Sequence, residues 1–278
     1  APGRLAPAAG GAAMKDITVG VIGGTRGMGR WFARLLHREG FKVYICGRKT
    51  KRTAADLVTT CNVIVVSVPI AATAGVISEV GPRMGVGSLL MDLTSLKKEP
   101  VELMLSCSSA DVVGCHPLFG PSLKNIRGQN VVLCPARGRK WLLWLQNLFV
   151  RKGLNVLKRT PEEHDKMMSI VQAFNHLNTI EFALGLAATG IPLAEISVFS
   201  TPVFQSKVAT VKKLFTENPG LYTDIIIRNT SKEKILNRCE KAAADIHRVI
   251  KCGDSAEMQK KMEQAVKKLF PGYFPAAR

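Results

Sequence analysis

His116 is the residue of this chain best placed to move a proton. It stands between Cys115 and Pro117 in "GCHPLFGPS" (114–122), directly after the apolar run 111–115, and the proline restricts the backbone that carries it. A neutral imidazole there can accept a hydroxyl proton as a hydride leaves the same carbon, and its ordinary pKa of about 6.5 suits that task. Two other stretches carry reactive side chains in comparable places: "DLTSLK" (92–97), at the end of another apolar run, and "HDKMMSIVQAFNH" (164–176), in a helical pattern. His164 sits in the first turn of that helix, where it suits a capping or domain-contact role. On a regular helix His164 and His176 project about 120° apart, so both cannot face one cleft and a metal held by the pair is not expected.

Hydride chemistry needs an acceptor, and Gly23-Gly24-Thr25-Arg26-Gly27-Met28-Gly29 offers a seat for one. The glycines follow a β-like run and precede a helical one, so backbone N–H groups at a helix start can meet a pyrophosphate. Counted from Gly24, Arg26 occupies the second position of GxGxxG; Gly23, Gly27 and Gly29 fit GxxxGxG equally. The next β-like run ends Cys46-Gly47-Arg48-Lys49-Thr50-Lys51-Arg52. NAD sites usually place Asp or Glu there for the ribose 2′-hydroxyl. Cations suit a 2′-phosphate instead. The loop therefore favours NADP over NAD, with Arg48 as the main contact and Arg26 and Lys49 as helpers; a solvated basic loop is the alternative.

The elements that must position these residues are legible as alternation. Apolar runs at 17–22, 42–46, 63–67, 88–92, 111–115 and 130–134 alternate with helical patterns, and one last strand-like stretch at 155–159 finishes the sheet. Runs apolar at nearly every position predict parallel strands covered on both faces. Thr160-Pro161-Glu162-Glu163 is an N-cap, an N1 proline and a capping-box glutamate in order, and it predicts a helix running towards Gly190. Pro192, Pro202, Pro219 with Gly220, and Gly253 divide the remainder into further helices. The fold class expected is α/β, a Rossmann-like nucleotide-binding domain over 15–160 followed by an all-helical domain over 161–278. Residues 1–14, small and rich in Pro, Gly and Ala up to Met14, read as a loose leader or an appended remnant.

The chain has 278 residues, 46% of them hydrophobic, enough for two cores. Seven scattered cysteines with no CxxC pair indicate neither a disulfide framework nor a zinc site, and suggest a reducing cytoplasm. No apolar run is long enough to span a bilayer. Residues 1–160 hold 23 Lys+Arg against 8 Asp+Glu, and 161–278 hold 16 against 13, so the front half attracts anions. No RNP-type motif, zinc finger or basic zipper points to nucleic acid.

With these residues in view, the sequence resembles the prephenate/arogenate dehydrogenase family of tyrosine biosynthesis over nearly all of 15–270. The resemblance rests on "IGGTRGMGRWF", "VIVVSVPI", "DLTSLK", "CHPLFGPS", "EEHDKMMSIVQAFNH" and "FTENPGLYTDII". It implies oxidative decarboxylation of a cyclohexadienyl acid by a dimer joined through the helical domain. It places the family's catalytic histidine on His116, its serine near the nicotinamide on Ser95, its substrate-binding histidine on His176, and cofactor contacts also on Ser67 and Pro69. It further implies an arginine that grips a substrate carboxylate where this chain has Gln205; Lys207, Arg127 or Lys124 could supply the missing charge. Gln205 leaves open the same chemistry on a related cyclohexadienyl acid. A non-catalytic NADP-binding or nucleic-acid-binding regulatory protein is the rival from another class. No chorismate mutase segment is visible, so a monofunctional enzyme is expected.

Overall fold

The computed structural model describes residues 16–271, so the leader expected at 1–14 lies outside the described residues. The chain divides into two compact units, Ala1–Asn229 and Thr230–Arg278. The first unit is built on a seven-stranded sheet in the order β2-β1-β3-β4-β5-β6-β7. Its strands are β1 (Thr18–Ile22), β2 (Lys42–Cys46), β3 (Val63–Val66), β4 (Leu89–Asp92), β5 (Asp111–Pro117), β6 (Asn130–Arg137) and β7 (Asn155–Lys158). Helices α1 (Gly27–Arg38), α2 (Ala54–Thr60), α3 (Ile70–Val80), α4 (Lys98–Cys107) and α5 (Lys140–Arg151) connect or flank them.

The expected alternation is present because β-branched runs bury both faces. Val19, Val21, Val113 and Leu133 pack with Phe32, Leu36, Trp144 and Phe149 from α1 and α5. Ile64, Val66, Leu90 and Val112 pack on the opposite face with Leu57, Ile77 and Met104 from α2, α3 and α4. A fully buried aliphatic or aromatic side chain contributes about 1.5–3 kcal/mol, so these two layers dominate the stability of the sheet.

One strand expectation needs correction. β6 runs antiparallel to β5, because residues 118–129 form no helix and the chain turns back without a crossover. β7, the last strand expected, pairs parallel with β6 and lies largely exposed at the sheet edge. The antiparallel pairing also lengthens β5: His116 lies inside the strand, opposite Val132, not beyond its end.

After the sheet come α6 (Pro161–Met168), a π turn (Ser169–Phe174), α7 (Asn175–Ala188), α8 (Leu193–Val198), α9 (Pro202–Glu217) and α10 (Pro219–Ile227). The capping box at α6 forms as expected: Thr160 Oγ1 accepts from the Glu163 N–H at 3.2 Å, and the Glu163 carboxylate accepts from the Thr160 N–H at 3.0 Å. The π turn was not anticipated. Its i→i+5 bonding under-rotates the helix, so the 120° separation of His164 and His176 reckoned for a regular helix does not carry across it. The second unit holds α11 (Lys232–Cys252), closed by Gly253 at φ +64°, and α12 (Ser255–Leu269). Among the described residues no helix is long and apolar enough to cross a membrane.

β1 and β3 are neighbours whose following helices leave from opposite faces of the sheet, which makes the carboxyl ends of these strands the natural crevice for a nucleotide. Gly23 closes that corner with φ +84°, and a Cβ on it would collide with the Ser67 carbonyl oxygen. Gly23→Ala is expected to cost at least about 1–3 kcal/mol from the backbone conformation alone, read as a lowered denaturation midpoint.

Candidate active site

The end of β4 and the middle of β5 meet around a lysine that is fully buried. Lys97 Nζ pairs with Asp92 Oδ2, donates to the Cys115 carbonyl at 3.1 Å, and lies 3.4 Å from Thr94 Oγ1. Gly114 makes the room: a Cβ there would stand 3.0 Å from Lys97 Cδ and 2.7 Å from Val101 Cγ2. Removing an ammonium from water costs several kcal/mol, and the Asp92 carboxylate and the Cys115 carbonyl offset that cost.

The same loop ties the sheet to α6. Asp165 Oδ1 accepts the Lys97 N–H at 2.8 Å and Asp165 Oδ2 accepts the Lys98 N–H at 3.0 Å, so this carboxylate caps the start of α4 from another helix. Asp165 Oδ1 also accepts from His164 Nδ1 at 2.7 Å, and His164 Nε2 lies 2.8 Å from His116 Nδ1. A carboxylate can only accept here, which assigns the tautomers in turn. His164 donates from Nδ1, its Nε2 accepts from His116 Nδ1–H, and His116 is left with an unprotonated Nε2. That nitrogen makes no hydrogen bond among the described residues.

The electrostatics keep this nitrogen basic in form. Burial holds His116 well below its usual pKa, and His164 and the Lys97 cation act in the same direction. Burial also lowers His164, opposed by its hydrogen bond to Asp165. Burial pushes the neighbouring Cys134 thiol up to about 12 and Cys115 higher still, so both stay protonated.

The glycine corner supplies a separate feature. The Gly23 and Gly24 N–H groups both donate to the Cys46 carbonyl, at 2.9 and 3.3 Å, which fixes the loop against the end of β2. The loop path follows Gly23 and Gly27, both at positive φ, while Gly29 gives close packing: a Cβ on it would fall 2.5 Å from the Gly23 carbonyl oxygen. The first backbone bond of α1 runs from Arg30 N–H to the Arg26 carbonyl, leaving the N–H groups of residues 27–29 free of helical partners. Arg26 provides no side-chain cap. Thr25 lies against Gly47, and Thr25, Arg26, Arg48 and Lys49 are all exposed, so the glycine loop and the basic loop share one rim. Met28 and Ser67 are partly buried and Pro69 exposed on that rim, with Pro69 the residue from which α3 starts. These residues fit a dinucleotide phosphate: a glycine cradle too tight for side chains, unpartnered helix N–H groups and nearby cations.

Of the other expected site residues, Ser95 is half-buried in the β4–α4 loop, and its hydroxyl makes no hydrogen bond among the described residues. His176 packs edge-on against Tyr222, ring centroids 4.8 Å apart, with a buried Nδ1 that has no partner; burial lowers its pKa. Gln205 and Lys207 are exposed on α9. Gln205 donates to Ser200 Oγ at 3.0 Å, and the Lys207 ammonium lies over the Phe182 ring. None of these four joins the hydrogen-bonded group around His116. That group instead contains Asp92, Lys97 and Asp165, to which sequence reasoning gave no role. The signals were present in "DLTSLK" and in the His-Asp pair, but neither says that the two stretches touch.

Comparison with known proteins adds an independent finding. The family description "Prephenate dehydrogenase, nucleotide-binding domain" matches residues 32–158, and "Prephenate dehydrogenase, dimerization domain" matches residues 160–264. A probable arogenate/prephenate dehydrogenase of Methanocaldococcus jannaschii is 32% identical over 275 residues, 91% of this chain and 61% of that protein. The T-protein of Haemophilus influenzae is 33% identical over 207 residues, 74% of this chain and 55% of its own length. The chain thus spans little more than half the length of these curated relatives. A crystal structure of prephenate dehydrogenase from Aquifex aeolicus, in complex with hydroxyphenyl propionate and NAD+, superposes with a TM-score of 0.75 at 19% identity, covering 92% of this chain and 99% of that one.

The buried pair yields a stability test. Lys97→Met strands the Asp92 charge and is expected to cost about 3–5 kcal/mol. Adding Asp92→Asn to it should recover a large part of the loss in chemical denaturation, because no unpaired charge then remains.

Proposed function

This chain belongs to the prephenate dehydrogenase family, and from that premise we propose that it oxidatively decarboxylates prephenate or arogenate with NADP as the oxidant. The observation that carries the reading is the 2.8 Å contact of His116 Nδ1 with His164 Nε2, which commits one ring nitrogen of His116 to the protein and leaves Nε2 for a substrate proton. When bound, the cofactor supplies the hydride acceptor. His116 takes the proton of the hydroxyl on the carbon that gives up the hydride, and loss of the ring carboxylate as carbon dioxide makes the ring an aromatic phenolate, to whose oxygen the proton returns. Ser95 orients the hydroxyl, and His176 holds the substrate from α7.

Gly24, Thr25, Arg26, Gly27, Met28 and Gly29, together with Ser67 and Pro69, would hold the cofactor. Arg48, assisted by Lys49 and Arg26, grips the 2′-phosphate. The lack of a carboxylate in residues 46–52 supports NADP over NAD. A nucleotide-binding domain to residue 160 and a helical domain from 161 make up the working unit, which pairs with a second copy through the helical part. In support of that pairing, Val198, Phe199 and Val203 are 80%, 84% and 71% exposed on adjoining helices.

Gln205 favours a second reading of the substrate. An amide cannot form the bidentate charged pair that a guanidinium makes with a carboxylate. Either Lys207, Arg127 or Lys124 supplies the charge, or the substrate is a related cyclohexadienyl acid.

Turnover is tested with prephenate and with arogenate, each with NADP and with NAD, by the absorbance of the reduced nicotinamide; no turnover in any combination overturns the reading. His116→Asn should lower kcat by about 10²–10⁴-fold. Arg48→Ala should raise the KM for NADP by about ten- to a hundredfold, the worth of one charged hydrogen bond, while leaving the KM for NAD unchanged. An equal effect on both cofactors would remove the 2′-phosphate assignment.

A further inference from the structure

His116 is one end of a chain of three side chains, and the chain has a direction. The imidazoles of His116 and His164 are inclined by 66° with centroids 5.1 Å apart, so they meet nitrogen to nitrogen and do not stack. The far end is the Asp165 carboxylate, which the N–H groups of Lys97 and Lys98 fix in place. We propose that the proton taken from the substrate comes to rest on His164 beside Asp165, with His116 as its conduit. His164 and Asp165 are then positioning residues that act through His116, and the inference rests on the reading of His116 as the proton acceptor.

The step balances. The substrate O–H bond breaks and a bond to His116 Nε2 forms. At the same time the His116 Nδ1–H bond breaks and a bond to His164 Nε2 forms, while the His164 Nδ1–H remains on Asp165. His116 ends neutral in its other tautomer, and the positive charge lies on His164 against the negative Asp165. As the carboxylate leaves, its electron pair makes the ring a phenolate, and the reverse shift returns the proton through His116 Nε2 to that oxygen, so the product leaves as a phenol and both histidines are reset.

The surrounding charges favour that destination. The Lys97 ammonium, bonded to the Cys115 carbonyl, opposes a positive charge on either imidazole and does not choose between them; the contact with Asp165 does. Asp92 is taken up by Lys97, and the Cys115 and Cys134 thiols are uncharged. The carboxylate that touches an imidazole in this group is Asp165, and it touches His164. A cation therefore gains more on His164 than on His116.

The test has two readouts. Nitrogen-15 histidine NMR of the protein without cofactor should show His116 and His164 both neutral with Nδ1–H, and two hydrogen-bonded imidazole N–H resonances protected from exchange. Both should vanish in His164→Gln. A His116 protonated on Nε2 overturns the relay whatever the enzyme's activity. In turnover, Asp165→Asn removes the charge that supports the His164 cation. It should lower kcat about tenfold or more and move the acid limb of kcat/KM to lower pH, with the KM for NADP unchanged. A purely structural Asp165 would lose activity without moving that limb. If His116→Asn is inactive while His164→Gln and Asp165→Asn keep wild-type kcat and pH profile, the relay fails and the base assignment stands. Full turnover in His116→Asn would sink the functional reading itself.

Discussion

The carboxylate of Asp165 joins three parts of this molecule that are far apart in sequence. It accepts the N–H groups at the start of α4, holds the His164 ring, and through that ring aligns His116 on β5. Each bond is charge-assisted at the acceptor, and such bonds are about twice as strong as neutral ones. Removing Asp165 would free α6 from α4 and leave two imidazoles without a fixed tautomer. Neither the strand nor the helix could orient His116 alone, since a side chain on a strand retains freedom about its own bonds.

Lys97 supports the same centre from below. Its main chain bonds the carboxylate that ends the imidazole chain, and its side chain bonds the peptide that precedes the first imidazole. One residue thus constrains His116 from its backbone and from its ring. Buried ion pairs contribute little net stability against an apolar replacement. Burial and the neighbouring His164 hold His116 unprotonated, and the Lys97 cation of this pair adds to them in the same direction.

Much of this was readable from residue order, and what was not has a common cause. The β-branched runs, the capping box at Thr160 and the glycine corner are local, and each appears where its pattern lies. His116 was recognisable from its place after an apolar run, although the antiparallel β6 draws it into the strand. The reversal at 118–129 was illegible because a missing helix leaves no periodic signal to read. Lys97 and Asp165 were illegible for a different reason: they are 68 residues apart, and only the packing of α6 on the β4–α4 loop turns them into partners. Gln205 was visible as a departure from a familiar pattern, yet its partner Ser200 shows only that the amide is occupied by a near neighbour.

The π turn between α6 and α7 has a consequence for how this segment can vary. It carries a surplus residue inside what would otherwise be one continuous rod, so Ser169–Phe174 acts as a phase adjuster between the His164 end and the His176 end. Excising a single codon there would let the rod relax to ordinary winding and swing everything downstream by about 100°. Point substitutions in the turn alter one side chain, whereas a length change re-aims a whole face. This stretch should therefore tolerate changes of letter far better than changes of count.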